Sequence, residues 1–343
     1  MDSQIKILII YTGGTIGMIK DNLTGSLTPF DFKGIYDQIP ELNKFKYHLD
    51  FYSFNPLIDS SNIYPSHWVE LATLIEKNYE NYDGFVILHG TDTMSYTGSA
   101  LSFLLENLNK PVILTGSQLP LGELRTDGRE NFLTAIEIAA ATEDNTPLIP
   151  EVCIYFENAL MRANRTIKYN AENFNAFISP NYPSLAEAGV YIKYNKNNIL
   201  KPNFKKLKVY KNLVNNIGIL KLFPGISYEY IHYVLNIPKQ QVLIMETYGA
   251  GNAPTDNWFI EELKMAINKG LVIINVTQCL AGAVNQGKYD TSLKLKELGV
   301  VSGYDITTEA LTAKIMFLLG QNLSQKELKK EMSLSLRGEM TVE

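Results

Sequence analysis

The chain has 343 residues, of which 31 are Lys or Arg and 36 are Asp or Glu, so its formal net charge is −5. This balance argues against binding of nucleic acid in a basic groove, because Lys and Arg must replace the counterions of the phosphates there. A hydrophobic content of 45% excludes a disordered chain, and the length favours two domains, since single cores stop growing near ~250–300 residues.

Strand-like and helix-like segments alternate along the chain. Short apolar, β-branched runs predict buried strands, and longer amphipathic runs predict helices. In chain order, the predicted elements are strand 6–11, helix 68–79, strand 85–88, helix 96–108, strand 112–114, helix 130–141, strand 152–156, strand 217–222, helix 228–235, strand 242–245, helix 258–268, strand 272–276 and helix 309–319. This alternation predicts an α/β fold with largely parallel sheets.

The first predicted strand leads directly into Thr12-Gly13-Gly14-Thr15-Ile16-Gly17, here named the first corner. The first corner places two hydroxyls and flexible backbone at the carboxyl end of a strand, where open α/β sheets bind ligands. A reactive threonine is one interpretation, and a plain glycine turn or a phosphate-binding loop are the alternatives. The phosphate loop is weakly supported, because neither Gly-x-Gly-x-x-Gly nor a Gly-Lys-Ser/Thr ending is present.

Two further strands end in polar corners of the same kind. Strand 85–88 is followed by His89-Gly90-Thr91-Asp92-Thr93-Met94, the second corner, and strand 112–114 by Thr115-Gly116-Ser117-Gln118, the third corner. Asp92 or Thr93 as a cap of the next helix is a competing interpretation. One helix needs only one cap, however, and the second corner offers three polar groups. If the three strand ends lie side by side, they form one polar pocket.

Other polar residues have ordinary explanations when each is considered alone. Lys168 is by default a surface lysine, and the segment 57–62, which contains Asp59 and Ser60, is typical of an Asx turn that closes a strand. The four His residues show no metal-ligand spacing, so no metal site is indicated. A Gly-x-Ser-x-Gly motif is also absent, which leaves a hydrolase using Ser and His without support.

A lysine-rich stretch separates the two halves of the sequence. Residues 193–211 contain Lys193, Lys196, Lys201, Lys205, Lys206, Lys208 and Lys211 and no acidic residue. A solvated connector explains this composition better than a basic docking site, because the charge is interrupted and the whole chain is acidic. We therefore predict an N-terminal domain at 1–192, a linker at 193–214 and a C-terminal domain at 215–343.

Cysteine usage and the N-terminal segment predict the cellular compartment. Cys153 and Cys279 both lie in apolar runs, which predicts buried thiols and no disulfide framework. The N-terminal segment has no basic stretch ahead of a long apolar one, and no later run approaches the ~18 apolar residues of a membrane span. We expect a cytoplasmic protein that contacts neither membranes nor nucleic acid.

Taken together, the motifs closely resemble those of the bacterial L-asparaginase family, above all its cytoplasmic type I branch. The resemblance rests on the first and second corners with Asp59-Ser60 and Lys168, and it extends through the third corner and residues 179–181, 248–254, 277–279 and 336–339. It implies a larger N-terminal domain with a mixed, mostly parallel sheet and a smaller C-terminal domain with a parallel sheet. It also implies hydrolysis of L-asparagine to L-aspartate and ammonia, without cofactor or metal, by a homodimer or homotetramer.

The resemblance implies a role for each candidate site residue. Thr15 would be the nucleophile that forms an acyl-enzyme, while Thr91, Asp92 and Lys168 would handle protons and orient the attacking water. Backbone N–H groups of Gly14 and Thr91 would stabilise the oxyanion. The substrate-binding residues that the resemblance implies are Asp59, Ser60, Thr91, Asp92, Ser117 and Asn252, the last supplied by the neighbouring subunit.

Two features depart from the family pattern. Many family members have a tyrosine in the loop after the first corner that activates the nucleophile, but this chain has none at residues 12–35. Either another group, such as Thr24, Ser26 or a water, activates the nucleophile, or closure of the loop contributes differently. Some type I enzymes also bind asparagine at a second, activating site, where this chain has Ile167 and Cys279. Because the apolar Ile167 side chain cannot hydrogen-bond an effector, we expect activation by asparagine to be absent or weakened.

Two other functions remain as alternatives. One is the glutaminase-type subunit of a tRNA amidotransferase, which normally has an extra N-terminal domain, whereas the first motif here starts at Thr12. The other is a non-catalytic protein that binds an amino acid or a nucleotide in the same pocket. The presence of Thr15, Thr91, Asp92 and Lys168 together argues against a binding protein.

Overall fold

The computed structural model describes residues 4–20, 27–29, 35–287 and 290–342. It divides the chain into two compact units, the first of residues 1–211 and the second of residues 212–343. The lysine-rich stretch 193–211 thus lies within the first unit. Within the described ranges, no helix is both long and apolar enough to cross a membrane.

The first unit is built on a mixed sheet. Its strands are β1 (Lys6–Tyr11), β2 (Met18–Lys20), β3 (Leu27–Pro29), β4 (His48–Ser53), β5 (Gly84–Leu88), β6 (Leu105–Glu106), β7 (Val112–Thr115), β8 (Thr142–Glu143), β9 (Thr146–Pro147), β10 (Val152–Phe156), β11 (Ala159–Arg162), β12 (Ile167–Lys168), β13 (Phe177–Ile178), β14 (Ala186–Ala188), β15 (Ile192–Tyr194) and β16 (Lys208–Val209). Eight of them form one sheet in the order β15-β14-β11-β10-β7-β5-β1-β4. Strands β4, β1, β5, β7 and β10 run parallel, and β11, β14 and β15 continue the sheet antiparallel. The predicted mixed, mostly parallel sheet is confirmed.

The central strands are apolar throughout because helices pack against the sheet. The helices of the first unit are α1 (Ile35–Gln38), α2 (Pro65–Asn78), α3 (Met94–Leu104) and α4 (Gly128–Ala139). Every residue of β5 is buried, as expected for a parallel strand that is covered on both faces. Helix α4 contributes Phe132, Ala135 and Ile136 to the core cluster, and this i, i+3, i+4 spacing defines one helix face.

The second unit has a smaller, parallel sheet with its own core. Its strands β17 (Ile217–Lys221), β18 (Val242–Thr247), β19 (Val272–Thr277) and β20 (Val301–Ser302) are hydrogen-bonded in that order, and all three strand pairs are parallel. The helices are α5 (Tyr228–Leu235), α6 (Asn257–Asn268), α7 (Asp290–Glu297), α8 (Thr308–Leu319) and α9 (Gln325–Met332). A separate hydrophobic cluster lies beneath α5 and α6. The predicted smaller C-terminal domain with a parallel sheet is confirmed.

One predicted helix end needs correction, and α7 and α9, two charged helices of the second unit, were not predicted. Helix α3 ends at Leu104 rather than at residue 108, because Leu105 and Glu106 form β6 and pair with β16, about a hundred residues further along the chain. A distant strand partner thus overrides the local helical pattern. Helix α9 was not predicted, since it is highly charged. Its Ser324 and Glu327 nevertheless form a capping box, which is a sequence signal for a helix start.

Candidate active site

Four loops meet at the carboxyl edge of the parallel strands β7, β5, β1 and β4. A Cβ atom at Gly14 would lie 2.5 Å from the Gly90 Cα atom, and a Cβ atom at Gly90 would lie 2.6 Å from Ser60 Oγ. A Cβ atom at Gly116 would lie 2.4 Å from the carbonyl oxygen of His89. The three corners and the 57–62 segment are therefore in direct contact, and their backbones approach so closely because glycine occupies these positions.

The first corner is held by hydrogen bonds to its neighbours in the sheet. The backbone N–H and the hydroxyl of Thr12 both donate to the Leu88 carbonyl at 3.0 Å, and the Ile58 N–H donates to the Thr12 carbonyl at 2.8 Å. Thr15 begins a single 3-10 turn, and Gly14 precedes it with a φ of 92°, a conformation that L side chains rarely adopt. Thr15 is half-buried at this edge of the sheet.

The second corner contacts a lysine from a distant strand. Lys168, the last residue of β12, donates from Nζ to Thr91 Oγ1 at 2.8 Å and to Asp92 Oδ1 at 2.6 Å. Its side chain is 18% exposed, whereas that of Asp92 is 63% exposed. An ion pair so open to water contributes only ~0.2–1 kcal/mol to stability. The chemical consequence is larger, because an ammonium beside the Thr91 hydroxyl favours negative charge on that oxygen.

The capping interpretation of the second corner is wrong for Thr93. Thr93 is the N-cap residue of α3, but its side chain accepts no hydrogen bond from the helix backbone. Its hydroxyl instead donates to the Ser60 carbonyl at 2.6 Å. Asp92 contacts Lys168 rather than the free N–H groups of α3. The polar side chains of this corner thus link neighbouring loops of the site.

Gln118 in the third corner is a site residue that the sequence analysis did not single out. Its Oε1 atom accepts from Thr91 Oγ1 at 3.4 Å, and its Nε2 donates to the carbonyls of Ala171 and Asn173, both at 3.1 Å. The Thr91 hydroxyl therefore accepts from Lys168 and donates to Gln118. The sequence signal that could have identified Gln118 as a site residue is its position next to Ser117, just after a predicted strand.

Two of the predicted substrate-binding residues lie in the 57–62 segment. Ser60 is buried and touches Gly90, while Asp59 is exposed and caps a 3-10 turn. Asp59 Oδ1 accepts from the N–H and the hydroxyl of Ser61, both at 2.9 Å. These hydrogen bonds lower the pKa of Asp59, since they favour its charged form. The Asx turn considered for this segment is present.

Ser117 is buried, and its hydroxyl donates to the Leu119 carbonyl at 2.5 Å. With this donor engaged, the Ser117 oxygen has only acceptor capacity left for a ligand. Asn252 lies in the second unit, in a tight turn after β18, where its backbone exchanges hydrogen bonds with Tyr248 at 2.8 and 2.9 Å. Thr24 and Ser26, the candidates for activating Thr15, lie outside the described residues.

The prediction that both cysteines are buried is confirmed for Cys153 and wrong for Cys279. Cys153 is buried in β10, and burial raises the pKa of its thiol. Cys279 is exposed, because its apolar run continues past Thr277, where β19 ends and side chains no longer alternate across a covered sheet. The Cys279 N–H donates to Thr277 Oγ1 at 3.0 Å. Ile167, the other residue of the predicted effector site, is buried in β12.

Family models match both halves of the chain. Residues 6–200 match the model described as Asparaginase, N-terminal, and residues 216–332 match the Glutaminase/Asparaginase C-terminal domain. The chain belongs to the asparaginase family. In the described part of this family member, no three His, Cys, Asp or Glu side chains are grouped in a way that would hold a metal ion.

Relatives within and beyond bacteria share this asparaginase-family architecture over the full chain. L-asparaginase 1 of Escherichia coli (strain K12) is 44% identical over 341 residues, which cover 98% of each chain. The crystal structure of L-asparaginase I from Vibrio cholerae superposes with a TM-score of 0.89 at 45% identity and covers 99% of this chain and 100% of that one. The 60 kDa lysophospholipase of Mus musculus is 40% identical, and the match covers 100% of this chain but only 64% of the longer mouse protein.

Proposed function

We propose that this protein hydrolyses L-asparagine to L-aspartate and ammonia through a threonine acyl-enzyme. The observation that carries the proposal is the placement of Lys168 Nζ, 2.8 Å from Thr91 Oγ1 and 2.6 Å from Asp92 Oδ1. These groups lie at a glycine-lined strand edge of a chain that is 44% identical to an L-asparaginase over nearly its whole length. A lysine, a hydroxyl and a carboxylate can move protons there without histidine.

In the first step, Thr15 Oγ attacks the carbon of the side-chain amide. The carbon–nitrogen bond then breaks, the hydroxyl proton passes to the leaving nitrogen, and ammonia departs from an ester on Thr15. Backbone N–H groups of Gly14 and Thr91 stabilise the oxyanion, and one such donor is typically worth ~2.7–4 kcal/mol. Splitting the hydrolysis in this way replaces one difficult step with two easier ones.

In the second step, water attacks the ester carbon. The Thr91 hydroxyl, held by Lys168 with Asp92 beside it, orients the water and relays its proton, taking up the water's proton as it passes its own hydroxyl proton to Thr15 Oγ. Thr15 Oγ takes up a proton as the ester bond breaks, and L-aspartate is released. The ammonium of Lys168 compensates the partial negative charge that develops on Thr91 Oγ1 as its own proton leaves for Thr15 ahead of the arrival of the water's proton.

Charge determines how the substrate is held. The Asp92 and Asp59 carboxylates suit the α-ammonium group, while Ser60 and nearby backbone donors suit the α-carboxylate. Ser117 contributes an acceptor oxygen. We further propose that Asn252 is supplied by the neighbouring subunit of a homodimer or a dimer of dimers, and that the enzyme works in the cytoplasm.

The test is ammonia release from L-asparagine and, separately, from L-glutamine over a wide concentration range. We expect release from asparagine that is lost in Thr15→Ala and partly kept in Thr15→Ser, which retains a hydroxyl. A hyperbolic rate curve is expected, because Ile167 offers an effector no hydrogen bond. A sigmoidal curve that disappears on substitution of Cys279 would contradict this.

Each alternative has a distinct outcome in the same assay. Release from glutamine alone would favour the glutaminase-type subunit of an amidotransferase. If neither amide yields ammonia while wild type and Thr15→Ala bind asparagine equally, the protein is a binding module and the proposal is wrong. The asparagine-to-glutamine ratio depends on a single methylene group, which is worth only ~1–3 kcal/mol in a pocket.

A further inference from the structure

His89 is a buried residue of the second corner to which the proposed mechanism gives no role. It follows β5 directly and is 1% exposed. Its backbone N–H donates to the Thr115 carbonyl at 2.9 Å, so the residue extends the sheet by one position. Its ring lies between two partners, with Nδ1 at 2.7 Å from the Gly90 carbonyl oxygen and Nε2 at 2.9 Å from Thr97 Oγ1.

These partners determine the tautomer of the ring. A carbonyl oxygen only accepts, so the proton lies on Nδ1 of His89, and Nε2 must accept from the Thr97 hydroxyl. Thr97 Oγ1 in turn accepts from Trp68 Nε1 at 3.0 Å. The hydrogen bonds therefore run in one direction, from Trp68 through Thr97 and His89 to the Gly90 carbonyl. Burial lowers the pKa of His89 to about 4, so the ring is neutral at physiological pH.

Anchoring the Gly90 carbonyl has a geometric consequence. The Gly90 carbonyl and the Thr91 N–H belong to the same planar trans peptide, in which they point in opposite directions. A hydrogen bond that holds the oxygen on the side of the His89 ring therefore directs the N–H away from the ring. Gly90 has no side chain to restrict its own backbone, so the peptide depends on this contact for its orientation.

We propose that His89 is a positioning residue that aims the Thr91 N–H at the substrate oxyanion by holding the Gly90 carbonyl. The inference rests on the proposed function, since it concerns the oxyanion donor of that mechanism. Trp68 and Thr97 support it by keeping the proton of His89 on Nδ1. A histidine that only filled the core would affect stability without a selective effect on the transition state.

The oxyanion exists only in the transition state, so the effect of His89 belongs in kcat rather than in KM. His89→Leu removes the donor, and we expect kcat for asparagine to fall ~10–100-fold with KM changed less than ~3-fold, below the ~100–1000-fold cost of losing an oxyanion donor altogether. His89→Asn is the matched control, because its Nδ2 occupies the position of Nδ1 and still donates to Gly90. We expect His89→Asn to keep kcat within ~5-fold of wild type.

A measurement of the tautomer keeps the inference testable even where His89→Leu fails to fold. In the triple variant His48→Gln, His67→Gln and His232→Gln, His89 is the single histidine, and nitrogen-15 NMR reports its tautomer. We expect a neutral ring protonated at Nδ1. An Nε2–H tautomer, equal losses of kcat in His89→Leu and His89→Asn, or a loss confined to KM would each overturn the inference while the proposed function stands. Absence of ammonia release by the wild type would overturn the proposed function and this role with it.

Discussion

The chemical role proposed for Lys168 depends on the groups that surround it in the fold. In the sequence it is an ordinary lysine, and in the structure it is 18% exposed, with a hydroxyl and a carboxylate within 2.8 Å of its Nζ atom. The Thr91 hydroxyl accepts from the same lysine and donates to Gln118 Oε1. The hydroxyl of Thr91 thus has a fixed protein donor and a fixed protein acceptor.

We expect Lys168→Met to reduce turnover of asparagine by more than ~100-fold, the usual scale for loss of a positioned proton-handling group. The thermal stability should change little, because the ion pair with Asp92 is largely open to water. Steady-state ammonia release and a melting curve measure the two effects. Lys208→Met, which removes an exposed lysine from another ion pair, is the control. A stable Lys168→Met protein with near-normal kcat would refute the role of Lys168.

At the scale of elements, the site depends on loops that follow neighbouring parallel strands. Apart from the exposed Lys6 at the start of β1, every residue of strands β1, β5 and β7 is buried, and the polar corners follow where each strand ends. The loops then pack closely at three glycines: Gly14 lies against the Gly90 backbone, Gly90 against the Ser60 side chain, and Gly116 against the His89 carbonyl. This packing brings hydroxyls from different loops into one small volume.

We expect Gly14→Ala to impair both folding and catalysis. A Cβ atom there would lie 2.5 Å from backbone atoms of Gly90, and the φ of 92° disfavours an L residue by ~1–2 kcal/mol. The control is Gly270→Ala, where φ is 103° but the nearest atom is 3.9 Å away. Chemical unfolding and ammonia release should show a loss of stability in both variants and a loss of kcat in Gly14→Ala alone. Equal kcat values in the two variants would mean that the contact with Gly90 does not shape the site.

At the scale of the whole molecule, the proposed assembly of the site from two subunits has a sharp consequence. If Asn252 serves the site of the neighbouring subunit, a heterodimer of Thr15→Ala and Asn252→Ala chains contains one intact site. Random mixing of the two chains in a dimer should then recover about a quarter of wild-type activity. Differently tagged chains, co-expressed and assayed for ammonia release, measure this recovery.

The control pair for this experiment is Thr15→Ala with Lys168→Met. Both residues belong to the first unit, so their heterodimer has no intact site, and we expect no recovery. Activity in the Thr15→Ala and Asn252→Ala mixture that merely equals the average of the separate variants would show that Asn252 does not complement a neighbouring site. The proposed role of Asn252 would then have to be abandoned.

The sequence by itself determined the α/β class, the central strands and the motifs of the site. Parallel strands that are covered on both faces are apolar along their length. The amino-acid sequence alone therefore shows where such a strand ends and a polar corner begins. The bounds of the two domains, predicted from the lysine-rich stretch, stay a prediction. The local sequence pattern gave a wrong end for α3, because the next residues pair with β16. It also gave a wrong burial for Cys279, because β19 ends before this residue.

Only the tertiary structure decided the partners of Lys168, Gln118 and His89. Lys168 and Thr91 are 77 residues apart, and Gln118 and Thr91 are 27 apart. The hydrophobic periodicity of the sequence does not predict which lysine forms a hydrogen bond with a particular hydroxyl. The direction of the hydrogen bonds through His89 likewise follows from its partners in the fold, because the Gly90 carbonyl can only accept.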